Sequence, residues 1–198
     1  MALVFGLATA AGAHVSQRGG GPVAGVPIPE ITHGQMPIVA GHVREILGLA
    51  GRQFQPDPDF RRVLNYARIQ RSYCLWGLVP GSISDEASPF NACSHAYLAA
   101  SRDLLLRMVA EGRDSRAADL ALRIDHEMML SSTALDLCSY SASPYDTATT
   151  VRPVWSDVPG HAASLTSLLA IAALLAGAAA LFERLTGRGR VPAGTDRA

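Results

Sequence analysis

The groups in this chain best suited to chemistry gather in one stretch, Cys74 to Cys93, which reads CLWGLVPGSISDEASPFNAC. Two cysteines so placed can close a disulfide, hold a metal ion or, if one is activated, supply a nucleophile. The spacing favours the disulfide. There is no CxxC pair and no second Cys/His cluster at zinc spacing, so neither a metal site nor a catalytic thiol is expected. Closing Cys74 to Cys93 would restrict the unfolded chain by about 3 kcal/mol, and requires an oxidising compartment. Cys138 is then the odd thiol: buried, reactive or paired between chains. A pairing that uses Cys138, or three reduced thiols, is the alternative.

The carboxylates and histidines add little to a catalytic reading. Ser84-Asp85-Glu86 places adjacent acids before a helix, where capping and dipole matching explain them; acid/base work would need a raised pKa that a solvated loop does not produce. Glu86 and Glu127 therefore enter only a third, less favoured reading, an envelope hydrolase. His95 lies two residues past Cys93 and His126 two past Ile124. Two residues turn a helix by about 200°, so both are expected to face away from the core. His42 lies nearer a core edge. His33 and Met36 have the HxxM spacing of an axial haem pair, without the CxxCH of covalent attachment. A b-type haem in a helical bundle is thus the second reading, in an electron-transfer setting, and no cofactor is identified by the sequence itself.

Such groups need a scaffold, and the periodicity predicts an all-α one. Apolar residues recur at helical steps in four segments: Val39, Val43, Ile46, Ala50 and Phe54; Phe60, Leu64, Ala67, Cys74 and Leu78; Phe90, Cys93, Tyr97, Ala100, Leu104 and Met108; and Ala117, Leu120, Ala121, Ile124, Met128, Leu135 and Cys138. Pro37, Asp57-Pro58, Ser88-Pro89 and Asp114-Ser115 open them as caps or first-turn prolines, and Pro80-Gly81 and Gly112 close the second and third. Short connections favour antiparallel neighbours. The expected fold is an up-and-down four-helix bundle over 35–140, followed by a single C-terminal transmembrane helix, with no strand pattern.

Ala162 to Phe182 runs 21 residues without a charge, about 30 Å of helix and the thickness of a bilayer core. Trp155 precedes it at an interface position. Arg184, Arg188 and Arg190 follow, which by the positive-inside rule places the tail, 183–198, in the cytoplasm and the bundle outside, in the periplasm if the source is bacterial. Residues 1–13 end in Ala11-Gly12-Ala13 and read as a signal peptide lacking a basic start. The Gly- and Pro-rich segment 14–34 reads as a linker. Residues 141–161 read as an irregular approach to the membrane, long enough to fold back over the bundle.

Two surfaces point to a partner. Gln70 and Arg71 fall at or beside the core stripe of Ala67 and Cys74, either in a buried network with Glu127 or Ser131 or on a binding face shared with Tyr73 and Trp76. In the span, Ala173 and Gly177 form a small-xxx-small pair on an alanine ridge that lets another helix approach closely. Lys+Arg and Asp+Glu balance at 17 each, so no field recruits nucleic acid. The leading expectation is a non-enzymatic accessory or interaction subunit, anchored in the bilayer and bound to a membrane protein or to itself.

Overall fold

A computed structural model describes residues 24–79, 81–112 and 114–187. The expected signal peptide, and Arg188 and Arg190 of the tail, lie outside the described residues.

Four helices form the bundle: α1 (Met36–Ala50), α2 (Pro58–Tyr73), α3 (Asn91–Glu111) and α4 (Ser115–Leu130). Their starts follow the local chemistry. Asp57 Oδ1 accepts the N–H groups of Asp59 at 2.8 Å and Phe60 at 3.0 Å, and Pro58 fills the first helical position, where its missing donor is not needed. Those bonds, that from Phe60 first, hold the Asp57 carboxyl below its usual pKa. Asp114 caps α4 in the same way, and Gly112, at φ +65°, ends α3 in the left-handed conformation that glycine adopts without strain. The predicted stripes of α1, α2 and α3 are buried through Ala50, Cys74 and Met108.

α3 is the axis of the bundle, lying against α1, α2 and α4. Its alanines and serines let neighbours approach from several sides, so Ser94, His95, Ser101 and Asp103 are buried along with its apolar residues. One apolar stripe does not describe such a helix.

The helix ends depart from expectation. Phe54 and Leu78, placed on the stripes of the first two helices, are 80% and 59% exposed in the loops that follow. α4 stops at Leu130 rather than continuing to Cys138, and Leu135 is 82% exposed. The cause is local: Ser131 leaves the helix in an extended conformation and its Oγ accepts the N–H of Thr133 at 3.3 Å, a turn that competes with another helical turn. Between α2 and α3, Leu75, Trp76 and Gly77 take φ of +51°, +55° and +73°. Two of these are non-glycine residues, and left-handed backbone there costs about 1 kcal/mol or more each.

Cys74, just past α2, and Cys93, in the first turn of α3, form the expected disulfide with Cα atoms 5.8 Å apart. Cys138 is the free cysteine. Replacing both bridged cysteines by alanine should lower unfolding stability by about 3 kcal/mol, read as a lower urea midpoint for the detergent-solubilised chain. Denatured without reductant, the unaltered chain should titrate one thiol.

The segment after α4 is a strap. Tyr145–Asp146 (β2) pairs antiparallel with Pro27–Ile28 (β1), a short ladder the sequence pattern did not show. It draws Val26, Ile28 and Ile31 into the core from a stretch read as linker. Farther along, the strap crosses α2, where the Gln70 side chain accepts the Val151 N–H at 3.0 Å and donates to the Val151 carbonyl. The buried network expected between Gln70 and Glu127 or Ser131 is therefore a bond to strap backbone instead, and Glu127 pairs with His42 at 2.9 Å. The strap then delivers the chain to α5 (Ala162–Gly187).

The apolar length of α5, Ala162–Thr186, is long enough to cross a membrane, and none of its most apolar window is buried against the protein. Only its root is fixed. Leu165 and Leu168 pack on the core, and His161 donates from Nε2 to Asp85 Oδ2 at 2.9 Å while its Nδ1 accepts the Ser164 N–H at 3.2 Å. That bond from His161 is the main reason the Asp85 carboxyl titrates below its usual range. Trp155 meets the Phe90 ring edge-on at 5.3 Å just before this root.

Candidate functional site

Among the described residues, a close set of donor groups lies at the end of the bundle where α3 begins. His33, His95 and Cys138 each place one donor atom within 4.8 Å of those of the other two. They come from three remote parts of the chain, and separate devices bring them together.

His33 is held by a capping box. Thr32 Oγ1 accepts the Gln35 N–H at 3.3 Å, and Gln35 Oε1 accepts the Thr32 N–H at 3.3 Å, which fixes the turn leading into α1. This turn is docked on the loop after α4. Thr32 Oγ1 donates to the Ala134 carbonyl at 2.5 Å, and Gly34 N–H donates to the Asp136 carbonyl at 3.1 Å. Cys138 is held by Ser141, whose Oγ accepts the N–H of Cys138 at 2.9 Å and that of His33 at 3.1 Å. The same hydroxyl lies 3.6 Å from the Cys138 sulfur and can donate to it. His95 stands in the second turn of α3, fully buried, with its Nε2 3.1 Å from Cys138 Sγ.

The electrostatics keep His95 neutral. Burial drives its pKa from 6.5 down to about 4, the neighbouring His33 pushes the same way, and Glu86 opposes them. Glu86 is itself oriented: its Oε1 accepts the Ser139 N–H at 2.8 Å and the Ser139 Oγ–H at 2.7 Å, and these bonds lower its pKa. His33 Nε2 lies 3.3 Å from the Ser84 carbonyl, which can only accept, so the neutral ring carries its proton there and leaves Nδ1 as a lone pair. A cavity of about 400 Å³ opens beside the cluster, with Cys138, Ser141, Gln35 and Arg102 in its wall.

Sequence reasoning placed Cys138 at this end of the domain but not among these groups. It turned His95 outward, and the structure buries it, because α3 has no solvent side near its start. His126 is exposed as expected. Thr32 and Gln35, a capping-box pair four residues long in the sequence, were the missed signal that His33 belongs to an ordered element. His33 and Met36, set at haem spacing, end up differently placed: Met36 is fully buried, whereas His33 is part-exposed at the cluster.

The candidate partner residues form no single patch with this cluster. Arg71 is half-buried, and its Nε has no hydrogen-bond partner. Tyr73 is partly exposed under the Arg152 guanidinium, 5.4 Å from the ring centre. Trp76 is 56% exposed in its left-handed turn. Ala173 and Gly177 lie on the open face of α5, and a Cβ added at Gly177 would meet nothing within 4 Å. Glu127 and Glu86 lie in ion-pair and hydrogen-bond arrangements far apart in the chain, one on α4 and one before α3.

No family model matches this chain, no curated protein matches it, and no solved structure matches it. What the fold defines is a compact helical bundle carrying one C-terminal helix long enough to span a membrane.

Proposed function

We propose that this chain is a single-pass membrane protein that serves as an accessory or interaction subunit of a membrane assembly. The observation that carries the reading is α5, whose apolar length stands free of the bundle while its root is tied down by Leu165, Leu168 and the His161–Asp85 bond. A helix of that composition needs lipid or another apolar helix around it. The bundle lies outside the cytoplasm in this reading. The Cys74–Cys93 disulfide supports an oxidising compartment, periplasmic in a bacterium, and Arg184 after the span supports a cytoplasmic tail.

The partner approaches along two surfaces. In the bilayer, Ala173 and Gly177 allow a neighbouring helix close contact. Outside it, Trp76 is the anchor: a large aromatic held exposed at the cost of left-handed backbone fits a residue shaped for recognition rather than for packing. Purification of the tagged full-length protein from native membranes in mild detergent should bring a membrane protein at fixed stoichiometry. The double variant Ala173→Leu, Gly177→Leu should lower that recovery at least about tenfold, with the bundle's helical spectrum unchanged. Recovery of the chain alone would reject the accessory role, and recovery of a homo-oligomer would make the partner a second copy.

A further inference from the structure

We propose that His33, His95 and Cys138 bind one divalent transition-metal ion, zinc(II) in preference to hard cations such as magnesium or calcium, with the remaining coordination position facing the cavity beside Cys138. The donor set carries the selectivity. Two imidazole nitrogens and a thiolate suit zinc and its borderline neighbours, whereas magnesium and calcium take oxygen donors.

The geometry is close to that of a three-ligand site. Donors on a tetrahedral zinc ion lie roughly 3.3–3.6 Å apart, given bond lengths of about 2.0–2.3 Å. Here His95 Nε2 and Cys138 Sγ are already 3.1 Å apart, and the three donors all fall within 4.8 Å, so small side-chain rotations close them on an ion.

Polar satisfaction points the same way. His33 Nδ1 is buried without a hydrogen-bond partner, whereas buried ring nitrogens in proteins are normally paired. Since His33 Nε2–H is spent on the Ser84 carbonyl, its orphan atom is a lone pair, which is what a metal takes.

Charge and supporting contacts complete the case. Metal binding releases the Cys138 thiol proton to solvent, and the new thiolate together with the Glu86 carboxylate balances a dication. Ser141 Oγ, bonded to the backbone of both His33 and Cys138, fixes two of the ligands relative to each other before any ion arrives. The cavity of about 400 Å³ supplies the entry path and room for water or an added ligand in the fourth position.

Cobalt(II) and zinc(II) are the probes. The full-length protein in detergent, freed of metal by a chelator and kept from air so that Cys138 stays reduced, is titrated with cobalt. A thiolate-to-cobalt absorption band in the near ultraviolet should saturate at one ion per chain and be bleached by one equivalent of zinc. Cys138→Ser should abolish the band. His33→Gln, chosen because this part-exposed ring is less tied to folding than His95, should weaken zinc binding at least about 100-fold with an unchanged helical spectrum. His126→Gln, on the exposed face of α4, should change neither. A wild-type chain without the band, a band that survives Cys138→Ser, or zinc affinity unaltered by His33→Gln would each overturn the site.

Discussion

Replacing Gln70 by leucine should detach the strap from the bundle. The substitution keeps the volume of the side chain and removes both of its hydrogen-bonding groups, which at present take the Val151 N–H and the Val151 carbonyl. Each backbone group left without a partner costs about 1–3 kcal/mol, so the pair is worth about 4 kcal/mol while the strap stays in place. The strap has a cheaper course. Val151 is only half-buried, and by peeling away it can hydrate both groups. The expected result is local: amide exchange accelerates and proteases cut across Thr147–Val154, while α1, α3 and α4 stay protected. The alternative substitution Gln70→Glu should be worse than leucine, because it retains the acceptor for Val151 N–H, opposes an oxygen to the carbonyl and buries a charge. Unchanged exchange across the strap in both variants would show that Gln70 does not hold it.

The consequence reaches α5. The strap joins the end of α4 to the root of α5, and the Val154 N–H to Pro89 carbonyl bond of 3.0 Å and the Asp85–His161 bond pin that root to the loop before α3. A bundle whose strap is loose keeps its fold and its apolar helix but loses the fixed relation between them. In a protein proposed to dock on another, that relation decides whether Trp76 and the Ala173/Gly177 face can be engaged at once.

Local sequence pattern carries some of these features and not others. Asp57-Pro58 marked the start of α2 because a cap and a first-turn proline act within four residues, and the structure uses both. The charge-free run from Ala162 was legible because composition alone sets it apart. Gln70 stands out in the sequence as a polar residue on a core stripe, which fits either a side-chain network or a binding face. The actual partner is strap backbone 81 positions away, which carries no side-chain signature. His95 failed for a different reason. A 200° offset from Cys93 points outward only if the helix has an outside, and α3 has none near its start. The site with Cys138 then became invisible, since its members are separated by 62 and 43 residues and no spacing rule connects them.

Among the described glycines, Gly34→Ala should have the largest effect. A Cβ at that position would lie 1.5 Å from the Thr133 carbonyl oxygen and 2.5 Å from its carbon. The obstacle is backbone, so no rotamer change relieves it. The turn of His33 must lift off the loop after α4, losing the Gly34 to Asp136 bond and the Thr32 to Ala134 bond together. Overpacking in a core costs about 1–3 kcal/mol, and an overlap this deep with main chain belongs above that range. The cluster should suffer with it: His33 leaves Cys138, the thiol becomes reactive toward a disulfide reagent in the folded protein, and cobalt no longer produces the thiolate band. Gly41→Ala provides the contrast, because a Cβ there meets nothing within 4 Å and the position is an exposed turn of α1. That methyl group should raise stability by about 0.5–1 kcal/mol through helix propensity and leave the thiol protected. Opposite signs for the two glycines would locate the constraint in the contact between the His33 turn and Thr133. Equal, small effects would mean that His33 and Cys138 are not held together by that contact, and both the docking of the turn and the ligand geometry built on it would fall.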